Sequence, residues 1–206
     1  MGVNPRSVLL GSALLCLCLV GTVQAQRSSI TIPDLKNSSH VGVGYTAHIP
    51  TNFLGFSALY VTPKLLGGFG VYIDARFETR SLTDDPGYLP GVTVQEAEVT
   101  NADFLFEQSS EWSTVDVGLV YAVSQELAVY GGAGYTRERH YREYWDASET
   151  LGNLGFYLVD DPAASGNRVN VIGGALIRLT RYTLFQLGLG SKPPGATVGV
   201  MLVLPH

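Results

Sequence analysis

Cysteine is almost absent from the sequence, which contains only Cys16 and Cys18. Both lie inside an apolar run at 8–20 (VLLGSALLCLCLV), which follows Arg6 and precedes the small residues GTVQA at 21–25. This order is typical of a secretory signal peptide that is cleaved after residue 25. No cysteine remains once that segment is removed, so the exported chain is predicted to fold without disulfide bonds.

The sequence also lacks long apolar runs and an excess of basic charge. The run at 8–20 is shorter than the roughly 18 residues that a membrane-spanning helix needs, so a helical anchor is not predicted. Without Arg6, the 13 basic residues fall to 12, against 18 acidic residues. A basic surface for nucleic acid is therefore not expected.

Motifs of enzyme chemistry are scarce as well. The chain has four histidines, His40, His48, His140 and His206. His40 and His48 lie at opposite ends of one predicted strand, roughly 26 Å apart, which excludes a shared metal. His140 has Glu138 before it and Ser148 in the next loop, but a solvated histidine is favoured over a nucleophilic site. Since no phosphate loop, HExxH or cysteine metal spacing occurs either, we predict no enzyme activity, cofactor or metal.

The pattern that the sequence does contain is a period of two, the signature of a β-strand with one apolar side. In 69–79 the odd positions are apolar up to Phe77, whereas the even positions carry glycine, tyrosine and charged residues. Eight such stretches hold about ten residues each, enough for a tilted strand to cross a bilayer. This predicts an all-β fold, an eight-stranded antiparallel up-and-down transmembrane β-barrel. The predicted strands are 40–49, 53–62, 69–79, 112–123, 127–141, 168–179, 182–190 and 196–204.

The connections differ in length in a regular way. The short ones, 63–68, 124–126 and 180–181, fall on one side of the predicted barrel, and the two long ones, 80–111 and 142–167, fall on the other. Transmembrane barrels have short periplasmic turns and longer external loops. Both termini are then periplasmic, with a lead segment at residues 26 to 39 and the barrel at residues 40 to 206.

The predicted interior is rich in glycine, and many of the 24 glycines fall on the more polar face of a strand. The interior of an eight-stranded barrel is just wide enough for side chains to fill it, so small residues leave room for larger ones. The alternative is that these glycines mark bulges. We predict a closed lumen with a charge network in which Arg76 meets Asp116. The residues assigned to this network are Asp74, Arg76, Glu78, Asp116, Arg168, Arg178 and Gln186.

The predicted outer surface has two further features. Tyr141, Tyr144 and Trp145 lie near predicted strand ends and are expected to form an aromatic girdle at headgroup level. Ordinary strand propensity is the alternative. Residues 81–111 contain seven acidic residues and no Lys or Arg. Such a loop could bind divalent cations that bridge lipopolysaccharide phosphates, but a solvated acidic loop is the favoured interpretation.

The alternation of glycine with aromatic residues, as in VYGGAGYT at 129–136, resembles small outer-membrane β-barrel proteins of Gram-negative bacteria. These belong to the porin-like superfamily and include the transmembrane domain of outer-membrane protein A. The end of this chain, Leu204-Pro205-His206, departs from the terminal aromatic residue of such barrels.

The resemblance implies an outer-membrane location, contact with outer-membrane lipid and lipopolysaccharide, and an extracellular or periplasmic protein partner. The expected role is structural or surface interaction through long external loops. Two alternatives stay open: a narrow channel for small solutes and a lipocalin-like carrier.

Overall fold

Eight antiparallel strands close into one barrel in chain order, and each strand pairs with its neighbours in sequence. A computed structural model describes residues 35–49, 53–64, 67–79, 81–146, 149 and 155–205; the predicted signal peptide lies outside them. The predicted fold class is confirmed. The strands are β1 (His40–Ile49), β2 (Phe53–Thr62), β3 (Phe69–Glu78), β4 (Phe104–Ala122), β5 (Leu127–Asp146), β6 (Gly155–Thr180), β7 (Thr183–Ser191) and β8 (Pro194–Pro205).

The predicted loop at 142–167 is mostly wrong, because most of it is strand, and the predicted loop at 80–111 is wrong only in its last eight residues. Strand β4 begins at Phe104, β5 continues to Asp146 and β6 begins at Gly155. Register shifts between Leu105 and Glu107 and between Glu138 and His140 interrupt the pairing. A bulge of this kind breaks the period of two, so these segments resemble loops in the sequence. We call 104–112, 137–146 and 155–168 the outer extension.

An apolar belt surrounds the barrel on its outside. Side chains at alternate positions of all eight strands point outward and stay exposed, for example Val43 at 60% and Leu119 at 61%. A continuous exposed surface of this kind fits a lipid environment and would be unfavourable in water. No helix in the described part of the chain is long and apolar enough to cross a membrane.

The lumen is filled at the end with the short turns. Thirteen buried apolar side chains form one cluster there, including Leu35, which precedes β1. The sequence predicts a more polar interior, but at this end the inner faces of the strands are apolar, as at Val120 of β4. Apolar residues occupy both faces of the strands at this end, so alternation does not reveal which face is inside. We call this cluster the apolar plug: Leu35, Leu59, Val61, Tyr72, Val120, Ala122, Ala128, Tyr130, Ile172, Leu176, Leu184, Met201 and Val203.

Glycine provides the space that this packing needs. Gly174 and Gly188 are paired across β6 and β7, and a Cβ at Gly188 would collide with the hydroxyl of Tyr130. The ring of Tyr130 stacks on Tyr72, with 4.5 Å between ring centroids. The two glycines therefore allow two tyrosines to lie across the lumen.

Candidate functional site

Three charged side chains meet in the lumen, between the apolar plug and the outer extension. Arg76 Nε lies 2.7 Å from Asp74 Oδ2, and Arg76 Nη2 lies 2.7 Å from Asp116 Oδ2. All three residues are at most 2% exposed. They come from neighbouring strands, since Asp74 of β3 is directly opposite Asp116 of β4. We call Asp74, Arg76 and Asp116 the charge cluster.

Uncharged groups complete the charge cluster. Asn170 Nδ2 donates to both carboxylate oxygens of Asp116, at 2.8 and 3.0 Å. Arg76 Nη1 donates to Thr197 Oγ1 at 3.0 Å, and Thr46 Oγ1 donates to Asp74 Oδ1 at 3.3 Å. Buried charges are tolerated when they are paired and hydrogen-bonded in this way. Sequence patterns did not single out these partners, although the inward position of Asn170 on β6 could have identified it.

Gln186 forms a second layer between the charge cluster and the apolar plug. Its Nε2 donates to the hydroxyl oxygens of Tyr72 at 2.6 Å and Tyr130 at 3.2 Å. Its Oε1 accepts from Ser57 Oγ at 3.3 Å. This side chain therefore connects strands β2, β3, β5 and β7 across the lumen.

The other residues assigned to the network lie elsewhere. Arg168 is half-exposed in the outer extension, where its Nε is 2.6 Å from Glu138 Oε2. Glu78 is the last residue of β3 and is half-buried. Arg178 lies near the short-turn end of β6, eight residues or roughly 26 Å along the strand from Asn170. The prediction of one network is therefore wrong for these three residues. Inward positions occur along the full depth of the barrel, so two residues on the inner face of a strand need not be close to each other.

The inner face of the outer extension is covered by residues 81–103, which we call the covering segment. Leu89, Val92 and Val94 pack there on a small core formed by Ala97, Tyr144, Tyr157 and Val159. The backbone of Leu158 pairs with the segment through hydrogen bonds to Gly87 O and from Leu89 N. Thr93 and Glu96 bond reciprocally just before its π-helical turn, Glu96–Thr100: Thr93 N donates to Glu96 Oε2 at 2.8 Å, and Glu96 N donates to Thr93 Oγ1 at 3.1 Å.

Acidic residues of the covering segment bind groups of β5 and β6. Arg142 Nη1 and the hydroxyl of Tyr144 both donate to Glu98 Oε1 at 2.8 Å. Tyr157 donates to Asp103 Oδ2 at 2.6 Å. Burial raises the pKa of Tyr144 to about 12, and the Glu98 carboxylate adds to the shift. Burial raises the pKa of Tyr157 too, assisted by Asp103. These acids therefore hold the segment on the sheet and are not merely solvated.

The predicted aromatic girdle is wrong for two of its three members. Tyr141 is 1% exposed and Tyr144 is 0% exposed, so neither reaches lipid. Tyr141 packs edge-on against Tyr88 of the covering segment, at 6.1 Å between ring centroids, and donates to Glu111 Oε2 at 3.1 Å. These strands continue beyond the belt, so tyrosines that seemed to mark strand ends lie in the extension, under a segment distant in sequence.

Trp145, the third predicted girdle residue, lies on an exposed aromatic face of the outer extension. Its ring is 4.8 Å from that of Phe156, which is 4.5 Å from that of Phe106. Phe104 is opposite Trp145 in the ladder. All four remain exposed, up to 69% for Phe104. We call Phe104, Phe106, Trp145 and Phe156 the aromatic face.

His140 takes part in a hydrogen-bonded chain at the inner side of the extension. Its Nδ1 lies 3.0 Å from Ser110 Oγ and its Nε2 lies 3.0 Å from Glu138 Oε1. Ser148, the serine considered from the sequence, lies outside the described residues. A cavity of about 230 Å³ beside Glu138 is lined by neither Ser110 nor His140. It therefore does not present a substrate carbonyl to Ser110, and the described residues contain no group of three or more His, Cys, Asp or Glu placed to hold a metal.

Three solved structures resemble this chain at low sequence identity. Ail, the attachment invasion locus protein of Yersinia pestis, is 13% identical, with 82% of this chain and 95% of that chain covered and a TM-score of 0.42. The N-terminal β-barrel domain of Pseudomonas aeruginosa OprF is 11% identical, with 82% of this chain and 98% of that chain covered and a TM-score of 0.41. A major outer membrane protein from Thermus thermophilus is 12% identical, with 82% of this chain and 100% of that chain covered and a TM-score of 0.42. No protein-family model and no curated protein match the sequence.

The architecture is that of a small outer-membrane β-barrel protein. A closed antiparallel barrel with an even number of strands carries an outward apolar belt. The β2–β3, β4–β5 and β6–β7 connections lie at one end and are all short, whereas the longest strands, β4 to β6, extend beyond the other end. Of these features, the outward apolar belt and the unequal ends distinguish transmembrane barrels from soluble ones. In outer-membrane barrels the periplasmic end is the one with short turns.

Proposed function

We propose that this protein is an outer-membrane barrel with a closed lumen, whose outer extension binds a protein partner at the cell surface. Residues 1 to 25 direct its export, and residues 26 to 39 form a periplasmic lead. The observation that carries the proposal is the contrast between a filled lumen and a folded extension that presents an aromatic face.

The filling of the lumen supports a closed barrel. The apolar plug, the Gln186 layer and the charge cluster follow one another along the lumen, and their members are almost completely buried. Each layer joins several strands, so opening a path for solutes would require breaking ion pairs and moving stacked tyrosines. A narrow channel is therefore less favoured than a closed scaffold.

The orientation of the apolar side chains argues against a lipocalin-like carrier. Such a carrier would need polar outer faces and an empty apolar interior. Here the outward positions of the strands are apolar, as at Val117 and Val171, and the apolar interior is occupied by the plug. Lipid is therefore the environment of the outer face.

The outer extension has the properties of a binding surface. The covering segment packs on one face of the sheet in the extension, whereas the residues of the aromatic face remain exposed. Contiguous exposed aromatic side chains mark interaction sites, and Trp and Phe are enriched in the centres of protein interfaces. The extension thus provides a preorganised apolar surface outside the membrane.

The test compares the parent protein with a variant of the aromatic face that carries Phe106→Ser, Trp145→Ser and Phe156→Ser. Both are reconstituted in lipid nanodiscs and probed by surface plasmon resonance against a panel of purified extracellular proteins. We expect binding to the parent that the variant loses, while both proteins migrate as folded barrels in gels. Binding that is equal for the two proteins would contradict the assignment to this face.

A further inference from the structure

The aromatic face borders two acidic residues on the same side of the outer extension. Glu143 of β5 is directly opposite Glu107 of β4, and Trp145 lies two residues beyond Glu143. Residues two apart on a strand share a face, so Trp145 and the two acids lie on one side of the sheet, roughly 7 Å apart along the strand. Phe106 reaches the same side, because its ring packs on Phe156, the ladder neighbour of Trp145 in β6.

The two carboxylates have no cation to balance them. Among the described residues, no ion pair or hydrogen bond involves the side chain of Glu107 or Glu143. Arg139, the first basic residue back along this side of β5, is four residues from Glu143 and opposite Glu111. Like charges directly opposite each other destabilise a pair of strands. The free protein therefore holds an unfavourable contact that a bound cation would relieve.

Other acids nearby are balanced within the chain. Arg142, on the opposite side of β5, forms ion pairs with both Glu98 and Asp161. By contrast, burial raises the pKa of Glu143, and the Glu107 carboxylate adds to the shift. The environment of Glu143 thus disfavours its charged form, as expected where no cation is present.

The aromatic rings beside the two acids suit one kind of cation in particular. Trp145 and Phe106 are 39% and 63% exposed, so their rings can be covered by a ligand. A guanidinium group stacks favourably on an indole ring, and the methylene stem of arginine covers apolar surface. The N–H fork of the same group can donate to two carboxylates at once. An arginine side chain therefore matches both the aromatic and the acidic part of this surface.

We propose that Glu107, Glu143 and Trp145 form a site for an arginine side chain of the protein partner. Its stem lies along Phe106 and Trp145, and its guanidinium donates to both carboxylates. A metal ion fits less well, since the described residues contain no group of three or more His, Cys, Asp or Glu placed to hold one. This inference rests on the proposed surface role and adds to it the chemistry of the contact.

The test follows indole N–H signals by NMR on the full chain in nanodiscs of zwitterionic phosphatidylcholine. The chain has two tryptophans, so Trp145 reports on the site and Trp112, opposite Glu138 at the base of the extension, is an internal reference. The probes are capped pentapeptides of glycine and leucine around a central arginine, lysine or citrulline, the neutral analogue of arginine. We expect the arginine peptide to shift the Trp145 signal saturably and to leave Trp112 unchanged. The lysine peptide should bind more weakly, and the citrulline peptide should not bind.

Three variants separate the parts of the site. Glu143→Gln should weaken binding of the arginine peptide about tenfold, since a charge-assisted hydrogen bond is lost. Glu126→Gln is its matched control, because it removes an exposed acid from the β4–β5 turn at the other end of the barrel and should leave binding unchanged. Phe106→Leu keeps an apolar side chain but removes the ring, so it should weaken binding by a smaller factor.

Several outcomes would overturn the inference. They are equal binding of the arginine and citrulline peptides, preference for lysine, equal shifts of both tryptophans, or parent-like affinity of Glu143→Gln. A shift of Trp145 by calcium chloride alone that Glu143→Gln abolishes would assign the two acids to a metal and overturn it as well. A protein that binds the parent and Glu143→Gln equally, but not the serine variant of the aromatic face, would remove this inference and leave the proposed function standing.

Discussion

Strands β4, β5 and β6 pass through two environments, the barrel and the outer extension, and their residue pattern differs between the two. Inside the barrel their residues alternate between lumen and lipid, and most of the outward residues are apolar. In the outer extension the same strands lie between water and the covering segment. The strands are continuous, so the change in residue pattern reflects the change of surroundings and not a change of secondary structure.

The two regions also use charge differently. In the charge cluster, both side chains of each ion pair are at most 2% exposed, whereas Arg142 and Glu98 in the extension are 28% and 40% exposed. Removing one partner of a buried pair leaves an uncompensated charge, but an exposed pair contributes little. The cluster therefore matters for folding, and the extension pair matters for holding one segment in place.

Breaking the buried pair should have the largest effect. Asp116→Ala removes the acceptor for both Arg76 and Asn170 and should lower the free energy of unfolding by about 3–5 kcal/mol. Glu98→Gln, the matched change in the extension, should cost about 1 kcal/mol or less. Urea titrations in detergent micelles measure both values. Similar losses for the two variants would show that the charge cluster is not buried as described.

A charged residue on the outer surface should distinguish belt from extension. Val171→Arg puts a charge on the lipid face and should cost roughly 2–4 kcal/mol. Phe106→Arg, on the aromatic face, should cost about 0.5 kcal/mol or less, because water surrounds it. Both variants are folded into lipid vesicles, and the folded fraction of each is measured from its gel mobility. If Val171→Arg folds as well as Phe106→Arg, the outward positions of β6 do not face lipid.

Loosening the covering segment should leave the barrel intact. Tyr157→Phe removes the hydrogen bond to Asp103 and leaves a buried carboxylate without this donor, at a cost of about 1–3 kcal/mol. The effect should be local, since the segment can open without the barrel. We expect faster cleavage by protease within 81–103 and unchanged barrel mobility. Parent-like cleavage rates would mean that Tyr157 does not hold the segment.

Alkaline pH should produce the smallest effect, again confined to the extension. The folded pKa of Tyr144 is raised from about 10 to about 12, so the protonated phenol stabilises the folded extension below pH 10. That contribution is lost as the pH rises from about 10 to about 12. Proteolysis of 81–103 by an alkali-stable protease should accelerate over this window. Tyr144→Phe, which has no phenol to ionise, should show a weaker acceleration.

Sequence patterns revealed the barrel well because lipid imposes a simple rule on its strands. The run from Phe69 to Phe77 alternates cleanly, and its facing follows directly from its composition. The extension was missed because bulges near Leu105 and Glu138 shift the register, and because acids such as Glu98 resemble solvated loop residues. Their partners, Arg142 and Tyr144, are more than 40 residues away in the chain. Nearest-neighbour patterns contain no information about such pairings.

The lumen was predicted in part for a similar reason. Inward polar positions identified Asp74, Arg76 and Asp116, because charge on the inner face of a membrane strand needs a partner. The apolar plug was not anticipated, since apolar residues on both faces remove the contrast on which facing depends. The contribution of Leu35, which precedes the first strand, is a tertiary contact without a local signal.

A conductance measurement tests most directly whether the lumen is closed and the extension alone carries the surface role. Folded monomer is inserted into a planar lipid bilayer, and the current across single molecules is recorded at a fixed voltage. We expect no stable conductance above the background of the protein-free bilayer, because the apolar plug, the Gln186 layer and the charge cluster fill the lumen. A reproducible conductance of the size seen for general porins would contradict the closed lumen and favour the channel.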